Sequence, residues 1–208
     1  MKTLKAFLFL ALLLTGTKAM AIEEPKHIVE QQEGPFQIRE YPPLVAAEVE
    51  VSGDRDQAAS AGFRLLAGYI FGGNTKRESI AMTAPVVQAK AQSQSIAMTA
   101  PVLQSQTGGT WQVRFVMPSQ YTMETLPTPN DSRVQLVAVP SAKVAAVRFS
   151  GLASPKDVQR KTAELETFIQ SRKLQAIGPP SLARYNPPWT LWFMRRNEVW
   201  IPIQTVVP

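Results

Sequence analysis

One block of this sequence occurs twice. Gln37-Ile38 leads to Pro42 and then to Val45-Ala46-Ala47-Glu48-Val49-Glu50-Val51-Ser52-Gly53, while Gln135-Leu136 leads to Pro140 and then to Val144-Ala145-Ala146-Val147-Arg148-Phe149-Ser150-Gly151. The glutamine, the proline and the Ser-Gly recur at an offset of 98 residues (135 − 37), with one residue of slippage at Val-Ala-Ala. A repeat of this length constrains the fold because both copies must build the same elements and bury them against each other. Each copy reads as a strand pair that turns near its proline and stops at Ser-Gly.

A helix follows each copy. In the first, Ala58, Gly62, Leu65, Leu66 and Tyr69 fall on one face, and Gly72-Gly73 stops the helix. In the second, Ser154 caps, Pro155 suits the first helical position, Asp157 completes a capping-box spacing, and Val158, Thr162, Leu165 and Ile169 form the core stripe with Phe168 alongside. Alternation at Trp111, Val113, Phe115 and Met117 predicts a strand with one buried face, and Glu198 to Ile203 predicts a last strand whose Pro202 favours an edge. The expected fold class is α+β: an internally duplicated domain of two β-β-α-β-type halves, one twisted antiparallel sheet or barrel with two helices outside. Inside the first half, Ser79-Ile80-Ala81-Met82-Thr83-Ala84-Pro85-Val86 recurs as Ser95-Ile96-Ala97-Met98-Thr99-Ala100-Pro101-Val102. Each copy sets a small apolar face on alternate positions, which suits either a structural hairpin or a dedicated methionine site.

The N-terminus carries Lys2 and Lys5, an apolar run from Ala6 to Leu14 and small residues ending at Ala21. That pattern predicts a signal peptide over residues 1–21, a single domain over 22–208, and a periplasmic or secreted product with no stable membrane insertion after cleavage. Removing Lys2, Lys5 and Lys18 turns 22 basic against 16 acidic residues into 19 against 16, too small an excess to point to nucleic acid. The chain has no cysteine and one histidine, His27. Disulfides, thiolate metal sites and a cysteine nucleophile are therefore excluded, and a histidine-based triad or metal site would have to sit on the N-terminal arm.

Several linked blocks resemble the SOUL haem-binding protein family over Glu30 to Ile203. They are Phe36-Gln37-Ile38-Arg39-Glu40-Tyr41, Tyr69-Ile70-Phe71-Gly72-Gly73-Asn74, the Ile-Ala-Met-Thr-Ala-Pro-Val segments, Phe115-Val116-Met117-Pro118, Arg148-Phe149-Ser150-Gly151, Tyr185-Asn186-Pro187-Pro188-Trp189 and Arg195-Arg196-Asn197-Glu198-Val199-Trp200. The resemblance implies a distorted antiparallel β-barrel flanked by two α-helices. It also implies a haem or related porphyrin held non-covalently in an apolar groove beside the first helix, with basic side chains near the propionates and no essential axial ligand. Animal haem binders of the family carry basic residues at the positions of Ser60, Gly68 and Thr190, none of which is basic here.

At 100° per residue, Ser60, Phe63 and Ala67 lie across the first helix from its core stripe, with Arg64 beside them. A phenyl ring among small residues next to a guanidinium suits a flat ligand with a carboxylate, and equally a ring packed on a neighbouring loop. Arg195 and Arg196 suit either anion contact or an internal ion pair with Glu198 or Glu40. The expected ligand-binding set is thus Ser60, Phe63, Arg64, Ala67, Arg195 and Arg196, with no catalytic and no metal-binding residues. His27 and Tyr41, Tyr69, Tyr121 and Tyr185 are candidate iron ligands that the sequence does not rank. The alternative is a small-molecule effector module or a hydrolytic enzyme on the same fold, using carboxylates such as Glu48 and Glu78. A third reading makes the Met-Thr-Ala-Pro-Val repeat a protein-contact hairpin.

Overall fold

The computed structural model describes residues 22–76, 92–187 and 189–205. The elements run β1 (Ile28–Glu33), β2 (Phe36–Tyr41), β3 (Leu44–Val51), α1 (Arg55–Ile70), β4 (Asn74–Thr75), β5 (Val102–Thr107), β6 (Thr110–Val116) and β7 (Thr128–Pro129), then β8 (Gln135–Val139), β9 (Ala142–Phe149), α2 (Pro155–Ser171), β10 (Leu174–Ala176), β11 (Ser181–Arg184) and β12 (Asn197–Thr205). An antiparallel sheet takes the order β1-β2-β9-β12-β11-β5-β6-β3-β8, with β10 added to β12, and β4 pairs separately with β7. The architecture is mixed α+β as the sequence predicts. Its sheet is open, with β1 and β8 as the ends, so its hydrogen bonding does not close a barrel.

The two repeated strand pairs are not hairpins. Instead β2 pairs with β9 and β3 with β8, each copy lending a strand to the other. Proline explains this: tight two-residue hairpins need a positive φ at the first central position, whereas Pro42 and Pro140 are fixed near −65°. The register carries the 98-residue offset, since Gln37 faces Ala146 where Gln135 faces Glu48, and Ile38 faces Ala145 where Leu136 faces Ala47. The predicted edge position of β12 is also overturned, because β12 lies between β9 and β11. Pro202 is tolerated there because its carbonyl accepts from the Ile177 N–H on the β10 side. Its missing donor therefore faces the gap between the β11 ladder, which ends at Trp200, and the β10 ladder, which starts at Ile203.

Both helices form where local signals place them. Asp54 accepts from the Asp56 and Gln57 amides to start α1, and Gly72, at φ 109°, follows its end. Ser154 and Asp157 close the capping box of α2. α1 buries Ala58, Gly62, Leu66, Tyr69 and Ile70 and packs with Val49, Val113 and Phe115. α2 buries Leu165, Phe168 and Ile169 against Ile38, Val147, Val199 and Ile201. In the second Ile-Ala-Met-Thr-Ala-Pro-Val segment, Ile96 and Ala100 are buried while Met98 and Val102 pack partly on the core beneath α1; the first segment lies outside the described residues.

The face of the sheet away from the helices holds Tyr41, Ala146, Ala183, Tyr185 and Trp200 around a fully buried carboxylate. Glu198 accepts two bonds from Arg39 (2.6 and 3.1 Å), two from Arg196 (3.0 and 2.9 Å), one from the Tyr185 hydroxyl (2.9 Å) and one from the Trp200 indole (2.7 Å). Burial alone would raise its pKa, but the bonds and charge of Arg39, then Trp200 and Arg196, outweigh that and hold it at about 2.

Two measurements test this packing. A Cβ on Gly62 would stand 2.5 Å from a Val113 methyl, whereas Gly68 has open space. Gly62→Ala should cost about 1–3 kcal/mol and Gly68→Ala should gain up to about 1 kcal/mol, read as opposite shifts in Tm. Because the folded pKa of Glu198 lies below its ordinary 4.5, its contribution is complete above pH 4.5 and is lost as pH falls toward 2. Urea titrations should show on the order of 3 kcal/mol disappearing across that window. Glu198→Gln should flatten that slope and, by leaving Arg39 buried without its counter-charge, cost about 3–5 kcal/mol at neutral pH.

Candidate functional site

The inner face of the sheet offers little to a ligand because its charges are already matched. Arg196 binds Glu198 and Glu24 and lies 3.7 Å over the Tyr185 ring. This is the internal ion pair with Glu198 that the sequence allowed, while no bond joins Arg196 to Glu40 among the described residues. Glu48 accepts from Arg114 at 2.6 and 3.0 Å. Glu78 lies outside the described residues.

The other candidate positions lie outside this cluster, on α1. Ser60, Phe63 and Arg64 are exposed and Ala67 is half-buried, so the side predicted to oppose the core stripe does reach solvent. Phe63 is 37 % exposed and its inner edge meets Phe115, with ring centroids 5.4 Å apart. One edge of the ring thus packs on β6 of the core, where the sequence reading offered a neighbouring loop, and the rest faces outward.

Near the first turn of α1, Arg55 of the helix, Arg184 of β11 and Arg195 from the loop before β12 come into one region. Antiparallel pairing of β5 with β11 sets Arg184 opposite Val102, beside the N-terminal end of α1. Arg184 reaches Asp56 and Gln104 only at 3.4 Å. Burial, then the neighbouring Arg55 and more weakly Arg195, lower its pKa against the partial opposition of Asp56. Arg55 donates to the Ala153 carbonyl at 2.8 Å and meets Asp56 at 3.4 Å. Arg195 donates to the Thr190 carbonyl at 2.8 Å, which fixes the base of the 189–194 loop close to this group. The contacts of Arg55 and Arg184 to Asp56 are longer than the 2.7–2.9 Å of a strong charge-assisted bond. Sequence reading had Arg195 and missed Arg55 and Arg184, since only the β5–β11 pairing draws them together.

The candidate iron ligands are otherwise engaged. His27 sits against Tyr41, with centroids 4.9 Å apart, on an N-terminal arm that is pinned rather than free: the Glu23 carbonyl accepts from the Ala100 amide, and its carboxylate accepts from the Ser119 amide. The Tyr69 hydroxyl donates to Pro127, that of Tyr185 to Glu198, and those of Tyr41 and Tyr121 accept from Arg39 and Gln94. Burial raises the pKa of both Tyr41 and Tyr185, which disfavours their phenolate forms. No group of three or more metal-ligating side chains occurs among the described residues.

Residues 22–202 match the profile of the family described as SOUL heme-binding protein. Heme-binding protein 2 of Mus musculus is 30% identical over 193 residues, covering 89% of this chain and 88% of that protein. Heme-binding protein 1 of Xenopus laevis is 28% identical over 166 residues, covering 79% and 82%. Among solved structures, the EcmrR C-terminal domain aligns with a TM-score of 0.57 at 10% identity, covering 82% of this chain and 98% of that one. A hydrolase from Listeria innocua aligns at 0.54 and 14% identity, covering 84% and 94%; at these identities the likeness is one of fold. With its own motif blocks, its α+β sheet and a family match over nearly all of the described chain, this protein belongs to the SOUL heme-binding protein family.

Proposed function

We propose that the protein binds haem or a related tetrapyrrole without a covalent bond, along the exposed side of α1, with the carboxylates directed to Arg55, Arg184 and Arg195. Membership of the family supports a haem ligand. The observation that carries the location is the pair Arg55 and Arg184, which meet Asp56 only at 3.4 Å, at the end of a helix side that exposes Phe63 beside Ser60, Arg64 and Ala67. In this reading Phe63 and Ala67 meet the macrocycle, the arginines hold the propionates, Arg64 offers a further cation and Arg196 serves the scaffold. Bound haem would supply iron chemistry of its own, while this chain contributes apolar contact and charge.

The binding reading is favoured over hydrolysis because the buried carboxylate, Glu198, accepts six bonds and has a depressed pKa, whereas a general acid or base needs a free, raised one. The domain is read as a duplicated, barrel-like unit from the shared register of β2–β9 and β8–β3. Residues 1–21 are read as a signal peptide for export. They lie outside the family match, which begins at residue 22.

Titration with hemin and with metal-free protoporphyrin should show binding of both at similar affinity; binding of neither would overturn the proposal. Arg184→Ala should weaken the free-acid porphyrin roughly tenfold or more, as loss of a charge-assisted bond predicts, and leave the dimethyl ester unaffected. Phe63→Ala should cost about tenfold in affinity. A melt run alongside separates that loss from the contact with Phe115, and unchanged affinity with an early melt would put the ligand elsewhere.

A further inference from the structure

Between β11 and β12 the chain exposes a run of large apolar side chains. Trp189 is 82 % exposed, Leu191 58 %, Trp192 59 %, Phe193 56 % and Met194 64 %. This loop is built, not frayed. Thr190 N–H donates to Pro187, Met194 N–H to Leu191 and Arg195 N–H to Trp192, giving a short 3-10 turn over Trp192–Met194. The Arg195 side chain ties its base to Thr190. Trp192 and Phe193 meet edge to face, their ring centroids 5.6 Å apart, while more than half of each stays open to solvent.

An ordered turn that holds four consecutive apolar side chains (Leu191 to Met194) in water carries a cost that nothing among the described residues offsets. Its chemistry fits one kind of partner. Tryptophan favours the boundary between lipid headgroups and acyl chains, and a convex apolar tip suits shallow insertion better than the closed shape of a protein groove. Arg195 is tied to the base of this loop through the Thr190 carbonyl, and Arg55 and Arg184 meet Asp56 only at 3.4 Å, so positive charge would meet headgroup phosphates once the tip is inserted. No helix of the described residues is long and apolar enough to cross a bilayer. We propose that the Trp189–Met194 loop docks the protein reversibly on the surface of an anionic lipid bilayer. This does not depend on tetrapyrrole binding, although it would place the proposed ligand site next to the phase in which apolar porphyrins dissolve.

The test uses ligand-free protein recovered after export and vesicles of phosphatidylcholine and phosphatidylglycerol in equal parts. Wild type should cosediment with these vesicles and less with pure phosphatidylcholine, its tryptophan emission should shift to the blue, and lipids brominated on the acyl chain should quench it. Trp192→Ser with Phe193→Ser should partition at least about tenfold more weakly at unchanged Tm. Wild type left in the supernatant, or a double variant that partitions equally well, overturns the proposal. So does a wild-type dimer that the double variant dissolves without any vesicle binding, which would make the loop a contact between copies. Loss of porphyrin affinity in the double variant, with no vesicle binding by wild type, would instead assign the loop to the ligand site. Failure of both porphyrin titrations leaves the vesicle result standing by itself.

Discussion

The buried carboxylate of Glu198 is the point on which the sheet turns. Four side chains converge on it, Arg39 from β2, Tyr185 from the end of β11, and Arg196 and Trp200 from β12 and the residues before it. Taking a carboxylate and a guanidinium out of water costs several kcal/mol per ion, and an apolar replacement of equal shape would often be as stable. What the ion pair adds is selectivity. A one-residue slip of β2 against β9 would turn Arg39 to the α2 side of the sheet and leave Glu198 without its main counter-charge. The exchanged strands need such a lock, because β2 and β9 come from different copies of the repeat and no hairpin turn fixes their register.

A division of labour between the two faces follows. The face away from the helices is filled by aromatic rings around satisfied charges, and it also holds the N-terminal arm, through Arg196 to Glu24 and the Ser119 amide to Glu23. The outside of α1 and the loop that leads into β12 are therefore the surfaces on which we propose that binding takes place. The two consecutive arginines illustrate the split. Arg196 turns inward to Glu198, while Arg195 binds the Thr190 carbonyl beside Arg184.

Features with local causes could be read from the sequence. Ser154 with Asp157, Gly72 after α1, and the stripes through Leu66 and Leu165 all depend on residues within a few positions of one another, and the structure keeps them. The motif blocks likewise led to the family. What failed was non-local. Pro42 and Pro140 look like turn residues, and their incompatibility with tight hairpins was visible, but the strand that each copy would find instead was not. Pro202 was taken for an edge marker because a central strand normally needs every amide, and the gap between β10 and β11 that excuses it cannot be seen along the chain. At the site, Phe63, Ser60 and Ala67 could be placed by helical geometry, whereas Arg55 and Arg184 are neighbours only because β5 and β11 pair.

The same residue type thus plays two roles, and its surroundings tell them apart. Burial opposes the charge of Arg39, but its two bonds to Glu198 and the facing carboxylate outweigh that, and Gln37 and Tyr41 accept its other bonds, so removing Glu198 would damage the scaffold. Arg184 is pushed the other way, by burial and then by Arg55, with Asp56 at 3.4 Å compensating only in part. A carboxylate arriving there would relieve repulsion already built into the fold as well as form new bonds, and that gain exists only in the complex. Saturated arginines such as Arg39 therefore belong to the scaffold, and the weakly paired Arg55 and Arg184 are where we propose that charge serves binding.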